Sequence, residues 1–194
     1  MSSLYFYYSA MNAGKTTNLL QAAYNYQERG MDTLLITPSV DDRYGEGIIA
    51  SRIGLTAPAV IAKPDTDLFI LIAEALNENS NIRCVLIDEI HFFRKIQIDQ
   101  LARAAVKLNI PILTYGLRSD FRGEGFESSM HLLAIADKLI EMKTICHCGY
   151  KAIMQIRIDQ YGKRVREGAQ IEVGGNERYI SVCRKHFLED DLTA

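Results

Sequence analysis

Through the first two-thirds of the chain, short apolar runs alternate with segments whose apolar residues recur at helical spacing. This alternation predicts an α/β fold, in which helices connect the strands of a mostly parallel sheet and flank it. The predicted strands cover residues 4–9, 33–37, 83–88, 110–115 and 138–142. The predicted helices cover residues 16–29, 66–79, 96–108 and 125–135.

Two of the predicted strands are apolar almost to their last residues. They carry the sequences VLIDE at 85–89 and IPILTYG at 110–116. Such runs are typical of central strands that helices cover on both faces. Open α/β sheets bind ligands beyond the carboxyl ends of their strands. We therefore expect a binding site where these two strands end.

The pattern changes near Lys143. The segment from there to residue 187 contains short strands, glycines and two cysteine clusters, and we predict no helix in it. We expect an α/β domain over residues 1–142 and a small β-rich unit over residues 143–194, called here the C-terminal unit. Its last residues, LEDDLTA, are acidic and are expected to fray.

Composition limits the possible classes of protein. The chain has 194 residues, 48% of them hydrophobic, and a formal net charge of -2. That length suits one domain with a small appendage and a substantial core. The charge supplies no overall basic field for nucleic acid. We find no secretory signal and no apolar run that could span a bilayer. We therefore expect a soluble cytoplasmic protein that binds neither nucleic acid nor membranes.

The loop SAMNAGKTT at 9–17 ends like a phosphate-binding loop but has Ser9 in place of the first glycine. Lys15 would neutralise phosphate oxygens, Thr16 would meet a magnesium ion, and the following helix would add its positive end. Ser9 costs about 1–2 kcal/mol if its backbone needs positive φ, and nothing otherwise. A lysine at the start of an ordinary helix is the alternative. The backbone donors would belong to Ala10, Met11, Asn12, Ala13 and Gly14.

An acidic pair follows the run VLI. Asp88 could hold magnesium, and Glu89 could accept a proton from the attacking group. We expect the nucleotide site to continue over Ile90 and His91, with His91 as a hydrogen-bonding residue. A solvated acidic pair is the simpler alternative. The letters DEIH also match a helicase box, but a helicase core needs two such domains. A single-domain ATPase remains open.

Two clusters of candidate metal ligands lie in the C-terminal unit, CHC at 146–148 and CRKH at 183–186. Two ligand pairs separated by a β-rich segment are typical of structural zinc sites. The tight spacing of the first pair leaves His147 as an alternative ligand, and unliganded thiols remain possible. Cys84, in an apolar strand, is expected in the core. The expected zinc ligands are Cys146, Cys148, Cys183 and His186.

Seven motifs in this order closely resemble the bacterial type II thymidine kinases over residues 4–186: YFYYSAMNAGKTT, YNYQERG, DDRYG, VLIDEIHFF, YGLRSDFRGE, LIEMKTICHCG and VGGNERYISVCRKH. The resemblance implies transfer of phosphate from ATP to the 5′-hydroxyl of thymidine or deoxyuridine, giving dTMP and ADP, in pyrimidine deoxynucleotide salvage. It also implies a homotetramer that responds to dTTP.

The resemblance assigns roles to individual residues. It implies that Glu89 is the base, that Lys15 clamps the γ-phosphate, and that Thr16 and Asp88 lie on the magnesium side. Arg43 matches a residue near the phosphates. One wall of the thymine site would come from Met11, Phe92, Leu117 and Phe121. The other would be a lasso-like loop pinned by zinc, with Ile171, Val173, Gly174 and Tyr179.

Two other functions remain open at this point. In a nucleotide-dependent switch or ATPase, Glu89 would orient water and the zinc unit would dock a partner. In a zinc-ribbon nucleic-acid binder, the run KRVR at 163–166 would be the basic patch, although it also suits a solvated hairpin tip. Taken together, the motifs predict a P-loop NTPase-like kinase with a small zinc-binding lasso domain.

Overall fold

The computed structural model describes residues 2–41, 45–170 and 179–189. Strands in these ranges, numbered along the chain, are β1 Leu4–Ser9, β2 Asp32–Pro38, β3 Ile48–Ala50, β4 Thr56–Pro58, β5 Val60–Ala62, β6 Ile82–Ile87, β7 Ile112–Leu117, β8 Lys138–Glu141, β9 Thr144–Ile145, β10 Lys151–Ala152, β11 Met154–Ile158, β12 Arg164–Val165 and β13 Tyr179–Val182. The α-helices are α1 Lys15–Gln27, α2 Leu68–Glu78, α3 Lys95–Lys107, α4 Glu127–Ile135 and α5 Arg184–Glu189.

Six strands form the central sheet in the order β5-β2-β6-β7-β1-β8, and every neighbouring pair is parallel. The five predicted strands and four predicted helices are confirmed, with ends that differ by at most two residues. Strand β5 was not predicted, because its three residues are too few to show a strand pattern. For the same reason the short antiparallel hairpin of β3 and β4 escaped prediction.

Side chains alternate across the sheet and bury both of its faces. Leu34 and Ile36 pack in one apolar cluster with residues of α2 and α3, whereas Leu35 packs in a second cluster with Leu19 and Leu20 of α1. Residues 84–87 of β6 are fully buried. Because both faces of the sheet are buried, the central strands consist of continuous apolar runs.

The C-terminal unit has its own small core. Strand β11 pairs antiparallel with β12 and β13, and β9 pairs with β10. Met154, Ile156 and Val182 pack there with two of the cysteines. The prediction that this region has no helix was wrong, because α5 follows Cys183 directly. Six residues are too few to show a helical period. Residues 190–194, most of the acidic tail, lie outside the described ranges.

The topology brings three chain segments to one edge of the sheet. Strands β1, β6 and β7 are central or next to centre, and their carboxyl ends lead to Ser9, Asp88 and Leu117. Ser9 is directly opposite Leu117 in the β1–β7 pairing. Since parallel strands end at the same edge, the loop after β1 and the acidic pair after β6 become neighbours.

No helix within the described ranges combines the length and apolarity needed to cross a bilayer.

Candidate active site

The loop between β1 and α1 has positive φ at two residues, and Ser9 is not one of them. Asn12 has a φ of 62° and Gly14 a φ of 73°, both in the left-handed region. Ser9 ends β1 in regular strand pairing and has no positive φ. The steric cost considered for serine therefore does not arise. Gly14 precedes the first turn of α1, where glycine adopts positive φ without a Cβ penalty.

The Lys15 ammonium turns back onto its own loop. Its Nζ donates to Ser9 Oγ at 2.9 Å and to the Ala10 carbonyl at 3.0 Å. The Ser9 hydroxyl donates in turn to the same carbonyl at 2.6 Å. The lysine is only 9% exposed. Serine at the first loop position thus supplies an oxygen that holds the ammonium, which a glycine could not do.

Asp88 is a buried carboxyl beside this loop. Burial raises the pKa of Asp88 to about 7, and the neighbouring charge of Glu89 contributes to the rise. Three interactions oppose it: a hydrogen bond from the Thr16 hydroxyl, another from the Glu89 N–H, and the charge of Lys15. The Glu89 N–H donates to Asp88 Oδ1 at 3.0 Å. A hydroxyl paired with a buried carboxyl next to a lysine is a donor set that suits a magnesium ion. Thr16 and Asp88 could therefore hold magnesium that arrives with a nucleotide.

Glu89 has a strained backbone. Its φ of 47° and ψ of 42° lie in the left-handed region, which non-glycine residues rarely adopt. It leads into a single 3-10 turn, Ile90–Phe92. Its side chain is 16% exposed and lines the cavity described below. Strain of this kind persists where the surrounding structure holds it, and it is concentrated at functional sites.

His91 fastens the 3-10 turn to β7. Its Nδ1 accepts the Leu117 N–H at 3.2 Å. Because Nδ1 is an acceptor, the proton of the neutral ring lies on Nε2. Nδ1 is also 3.6 Å from Glu89 Oε2, which is too long for a hydrogen bond. The buried ring packs against Phe92 and Phe126, so His91 holds the turn that presents Glu89.

A cavity of about 380 Å³ lies over these elements. It joins the phosphate loop, the acidic turn, the end of β7 and the C-terminal unit. The lining does not include Ser9, Ala10, Asp88 and Ile90, which were also expected in the site. Of the residues expected in the site, those that line it are Met11, Asn12, Ala13, Gly14, Lys15, Thr16, Glu89, His91, Phe92, Leu117, Phe121 and Tyr179. Four expected residues, Ile171, Val173, Gly174 and Arg43, lie outside the described residues.

One end of the cavity is aromatic. The Phe121 and Tyr179 rings meet edge to face, with centroids 6.5 Å apart. Phe121 belongs to a loop that Asp120 organises, because the buried Asp120 carboxylate accepts the N–H groups of Arg122 and Glu124 at 2.9 Å each. Arg122 also forms ion pairs with both acids. The loop is therefore held rigidly, and it fixes the ring that walls the cavity.

The sequence analysis missed part of the lining. The tip of the β3–β4 hairpin brings Arg52 and Ile53 to the same cavity. A tight turn holds this tip, since the Ser51 hydroxyl accepts the Leu55 N–H at 3.0 Å and Gly54 has a φ of 89°. The residue pair Ser51 and Gly54 was the available turn signal. The other missed lining residues are Thr17, Val40, Asp41, Ala50, Asp120, Phe126, Gln155 and Gln170.

The four expected zinc ligands form one cluster, with all ligand atoms within 4.8 Å of one another. The Cys148 and Cys183 sulfurs are 3.8 Å apart, and Cys183 Sγ is 3.5 Å from His186 Nδ1. Tetrahedral zinc with bonds of about 2.3 Å to sulfur and 2.0 Å to nitrogen requires separations of about 3.8 Å and 3.5 Å. Cys146 Sγ lies 3.2 Å from the same nitrogen. The cluster therefore has the dimensions of a closed zinc site.

The surroundings of Cys146 favour the thiolate form of its side chain. Burial would raise its pKa, but N–H groups of Cys148 and Cys183 and the side chains of His186 and Cys148 together lower the pKa to about 6. Thiolate is the form that binds zinc. His147 stacks on the expected ligand His186 with ring centroids 4.2 Å apart and is not a member of the four-residue cluster.

Comparison with known proteins identifies the family. A family model described as "Thymidine kinase" matches residues 2–187. The chain belongs to the thymidine kinase family. The resemblance read from the motifs is thereby confirmed, and family membership makes the chain an ATP-dependent nucleoside kinase. The helicase and nucleic-acid binder considered from the sequence are set aside.

Similar proteins cover nearly the whole chain. A thymidine kinase of Coxiella burnetii is 59% identical over 96% of this chain and 95% of its own length. Thymidine kinases of Vibrio vulnificus (strain CMCP6) and Shewanella oneidensis are each 57% identical, over 97% of this chain and 98% of theirs. The family relationship therefore includes both the α/β domain and the C-terminal unit.

Proposed function

We propose that this chain transfers the γ-phosphate of ATP to the 5′-hydroxyl of thymidine or deoxyuridine. The observation that carries the proposal is a single cavity lined both by Gly14, Lys15 and Thr16 and by an aromatic wall, with Glu89 on its surface. A nucleoside kinase needs a phosphate cradle, a base and a flat apolar slot within reach of one another. The product, dTMP, would feed pyrimidine deoxynucleotide salvage.

The donor binds over the phosphate loop. Its phosphates accept N–H groups of residues 10–14, and Lys15 exchanges Ser9 and Ala10 for phosphate oxygens. Thr16 and Asp88 would hold a magnesium ion, which would supply charge neutralisation for the phosphates. The positive end of α1 adds to this field. Phosphoryl transfer is mostly positioning and charge neutralisation, so these groups supply most of the donor-side catalysis.

The acceptor binds at the aromatic end. Phe121 and Tyr179 border a slot for the pyrimidine ring, with Met11, Phe92 and Leu117 around it. The resemblance implies that Ile171, Val173 and Gly174 contact the nucleoside and that Arg43 serves the phosphates; all four lie outside the described residues. Enclosure of the nucleoside excludes water, the competing acceptor.

Glu89 takes the proton of the 5′-hydroxyl. The hydroxyl oxygen forms a bond to the γ-phosphorus as the bond from that phosphorus to the β,γ-bridging oxygen breaks. ADP leaves with the electron pair of that bond, and the proton resides on the Glu89 carboxylate. The strained turn and the His91–Leu117 hydrogen bond hold the carboxylate at the cavity. A positioned base contributes about 10²–10⁴-fold.

The test follows the phosphate. Incubation with γ-labelled ATP and thymidine should move the label to dTMP, and transfer should depend on the nucleoside. Label in inorganic phosphate, independent of nucleoside, would replace the kinase by the ATPase alternative. A nucleic-acid role for KRVR has less support, since Arg164 donates to the Phe187 carbonyl and lies 4.5 Å over the Phe187 ring.

Several features of the family resemblance stay predictions. These are the homotetramer, the response to dTTP, the cytoplasmic location, and the division into units at residues 142 and 143. Structural zinc at the four-residue cluster is part of the proposal, because the ligand separations suit it. Its metal would hold together a unit with a small core, so that metal binding contributes directly to folding.

A further inference from the structure

Two hydroxyl groups of the C-terminal unit bond to successive carbonyls of the phosphate loop. The Thr144 hydroxyl donates to the Asn12 carbonyl at 3.1 Å, and the Ser181 hydroxyl donates to the Met11 carbonyl at 2.5 Å. More than 130 residues separate the partners in each pair. The two bonds therefore join the zinc-bearing unit to the loop proposed to bind ATP.

Each hydroxyl lies close to a zinc ligand in the chain. Thr144 on β9 is two residues before Cys146, and Ser181 on β13 is two residues before Cys183. One comes from each half of the ligand cluster. The four-residue cluster thus fixes the two strands from which the hydroxyls reach the loop.

The carbonyl that is held determines where the next N–H points. In a planar trans peptide, the C=O of one residue and the N–H of the next point in opposite directions. Holding the Met11 carbonyl therefore directs the Asn12 N–H away from the C-terminal unit, and holding the Asn12 carbonyl does the same for Ala13. Asn12 and Ala13 both line the cavity. Their N–H groups are two of the donors that a phosphate would accept.

We infer that Thr144 and Ser181 are positioning residues that orient the phosphate loop for ATP. The inference rests on the proposed function, in which this loop binds the donor. Asn12 has a φ of 62°, in the left-handed region that asparagine adopts more readily than most residues, and its carbonyl is one of the two that the hydroxyls hold. The zinc-bearing unit therefore serves the ATP half of the reaction as well as the nucleoside half.

The variants for the test are Thr144→Val and Ser181→Ala, which remove the hydroxyls with little change in shape. Each lost bond should raise the dissociation constant for ADP by about two- to tenfold, and the double variant by about the product. Amide hydrogen exchange at Asn12 and Ala13 should become faster. Zinc content, measured on the full-length protein, should remain at one per chain.

Two further variants separate positioning from general destabilisation. Thr144→Ser keeps a hydroxyl and should restore ADP affinity to near the wild-type value. Ser80→Ala removes a hydroxyl from a distant exposed loop and should leave both affinity and exchange unchanged. Loss of zinc from Thr144→Val or Ser181→Ala would assign the effect to collapse of the metal site and would overturn the positioning role.

The two proposals fail in different ways. If the wild-type protein neither binds ADP nor transfers label to thymidine, the proposed function is wrong. If the wild-type protein does both, and both hydroxyl variants bind ADP with wild-type affinity and unchanged exchange at Asn12 and Ala13, only the positioning role is refuted.

Discussion

A Cβ atom on Gly116 would lie 2.7 Å from Cγ2 of Ile90. Real Cβ atoms are not found that close to another heavy atom. The same Cβ would be 3.2 Å from the His91 backbone nitrogen. Strand β7 and the 3-10 turn after Glu89 can therefore approach this closely only because residue 116 has no side chain. The separation of these elements sets where the Glu89 carboxylate stands in the cavity.

Gly116→Ala should therefore impair catalysis more than folding. The added methyl pushes the 3-10 turn away from β7, which weakens the His91–Leu117 hydrogen bond and displaces the proposed base. We expect kcat to fall at least tenfold. A misplacement of roughly 1 Å in a sensitive site can lower the rate about 10²-fold. Steady-state kinetics with thymidine would measure it.

Gly125→Ala is the matched control for this substitution. The three atoms nearest to a Cβ there, at 2.5–2.7 Å, are Cγ, Sδ and Cε of the flexible, 41% exposed Met130 side chain, which can move aside. Its kcat should stay within about twofold of wild type, as surface substitutions are usually near neutral. Equal kcat values for Gly116→Ala and wild type would show that the close approach has no catalytic importance.

Glu89→Gln should nearly abolish phosphoryl transfer and leave ATP and thymidine binding intact. The amide keeps the size of the side chain but cannot accept the hydroxyl proton. We expect kcat to fall by about 10²–10⁴-fold. Glu78→Gln, at the end of α2, is the matched control and should retain wild-type turnover. Unchanged turnover in Glu89→Gln would remove this residue from the mechanism.

Arg52→Gln should raise the KM for ATP. Arg52 lines the same cavity as Lys15 and Thr16, where the proposed nucleotide would bring negative charge. Hydrogen bonds to a charged group contribute about 1.5–3 kcal/mol, so we expect an increase of at least tenfold in KM for ATP and a smaller one for thymidine. Arg29→Gln, on an exposed turn after α1, controls for net charge. An ATP KM equal to that of the control would place the donor phosphates elsewhere.

Cys183→Ser should remove zinc and loosen the C-terminal unit. The variant leaves three ligands and takes a thiolate from the cluster that ties β9 to β13. Metal analysis of the purified protein should find less than one zinc per chain, and proteolysis of the C-terminal unit should accelerate. Cys84→Ala, which changes a buried core thiol away from the cluster, should keep its zinc. One zinc per chain in Cys183→Ser would refute the ligand assignment.

The sheet and its flanking helices were predictable, because burial on two faces imposes long apolar runs such as the one before Asp88. A phosphate-binding loop was also predicted, since Gly14, Lys15 and Thr16 occur at the spacing that phosphate binding requires, and these three residues line the cavity. The backbone at Glu89 could not be predicted, because it adopts a left-handed conformation that a glutamate rarely takes. Asn12 also has a positive φ, which asparagine takes more readily.

Arg52 and Gln155 were missed for a related reason. Arg52 lies in a short turn whose sequence has no period. Gln155 lies in β11, MQIRI, whose alternation marks a strand but does not show that Gln155 meets the cavity. Both positions follow from packing alone. The hydrogen bonds from Thr144 and Ser181 join residues far apart in the chain, and no local pattern marks such pairs. The aromatic lining residues Phe92, Phe121 and Tyr179 would have been assigned to the core without the family resemblance.

The serine that replaces glycine at the start of the phosphate loop has a consequence for how a nucleotide would bind. The ammonium of Lys15 donates to Ser9 Oγ and to the Ala10 carbonyl. On the proposed function, a triphosphate would have to replace these oxygens. A lone inorganic anion would gain little from that exchange, whereas a ligand that also accepts several loop N–H groups would recover the cost. We therefore expect the loop to select nucleotides over simple inorganic anions.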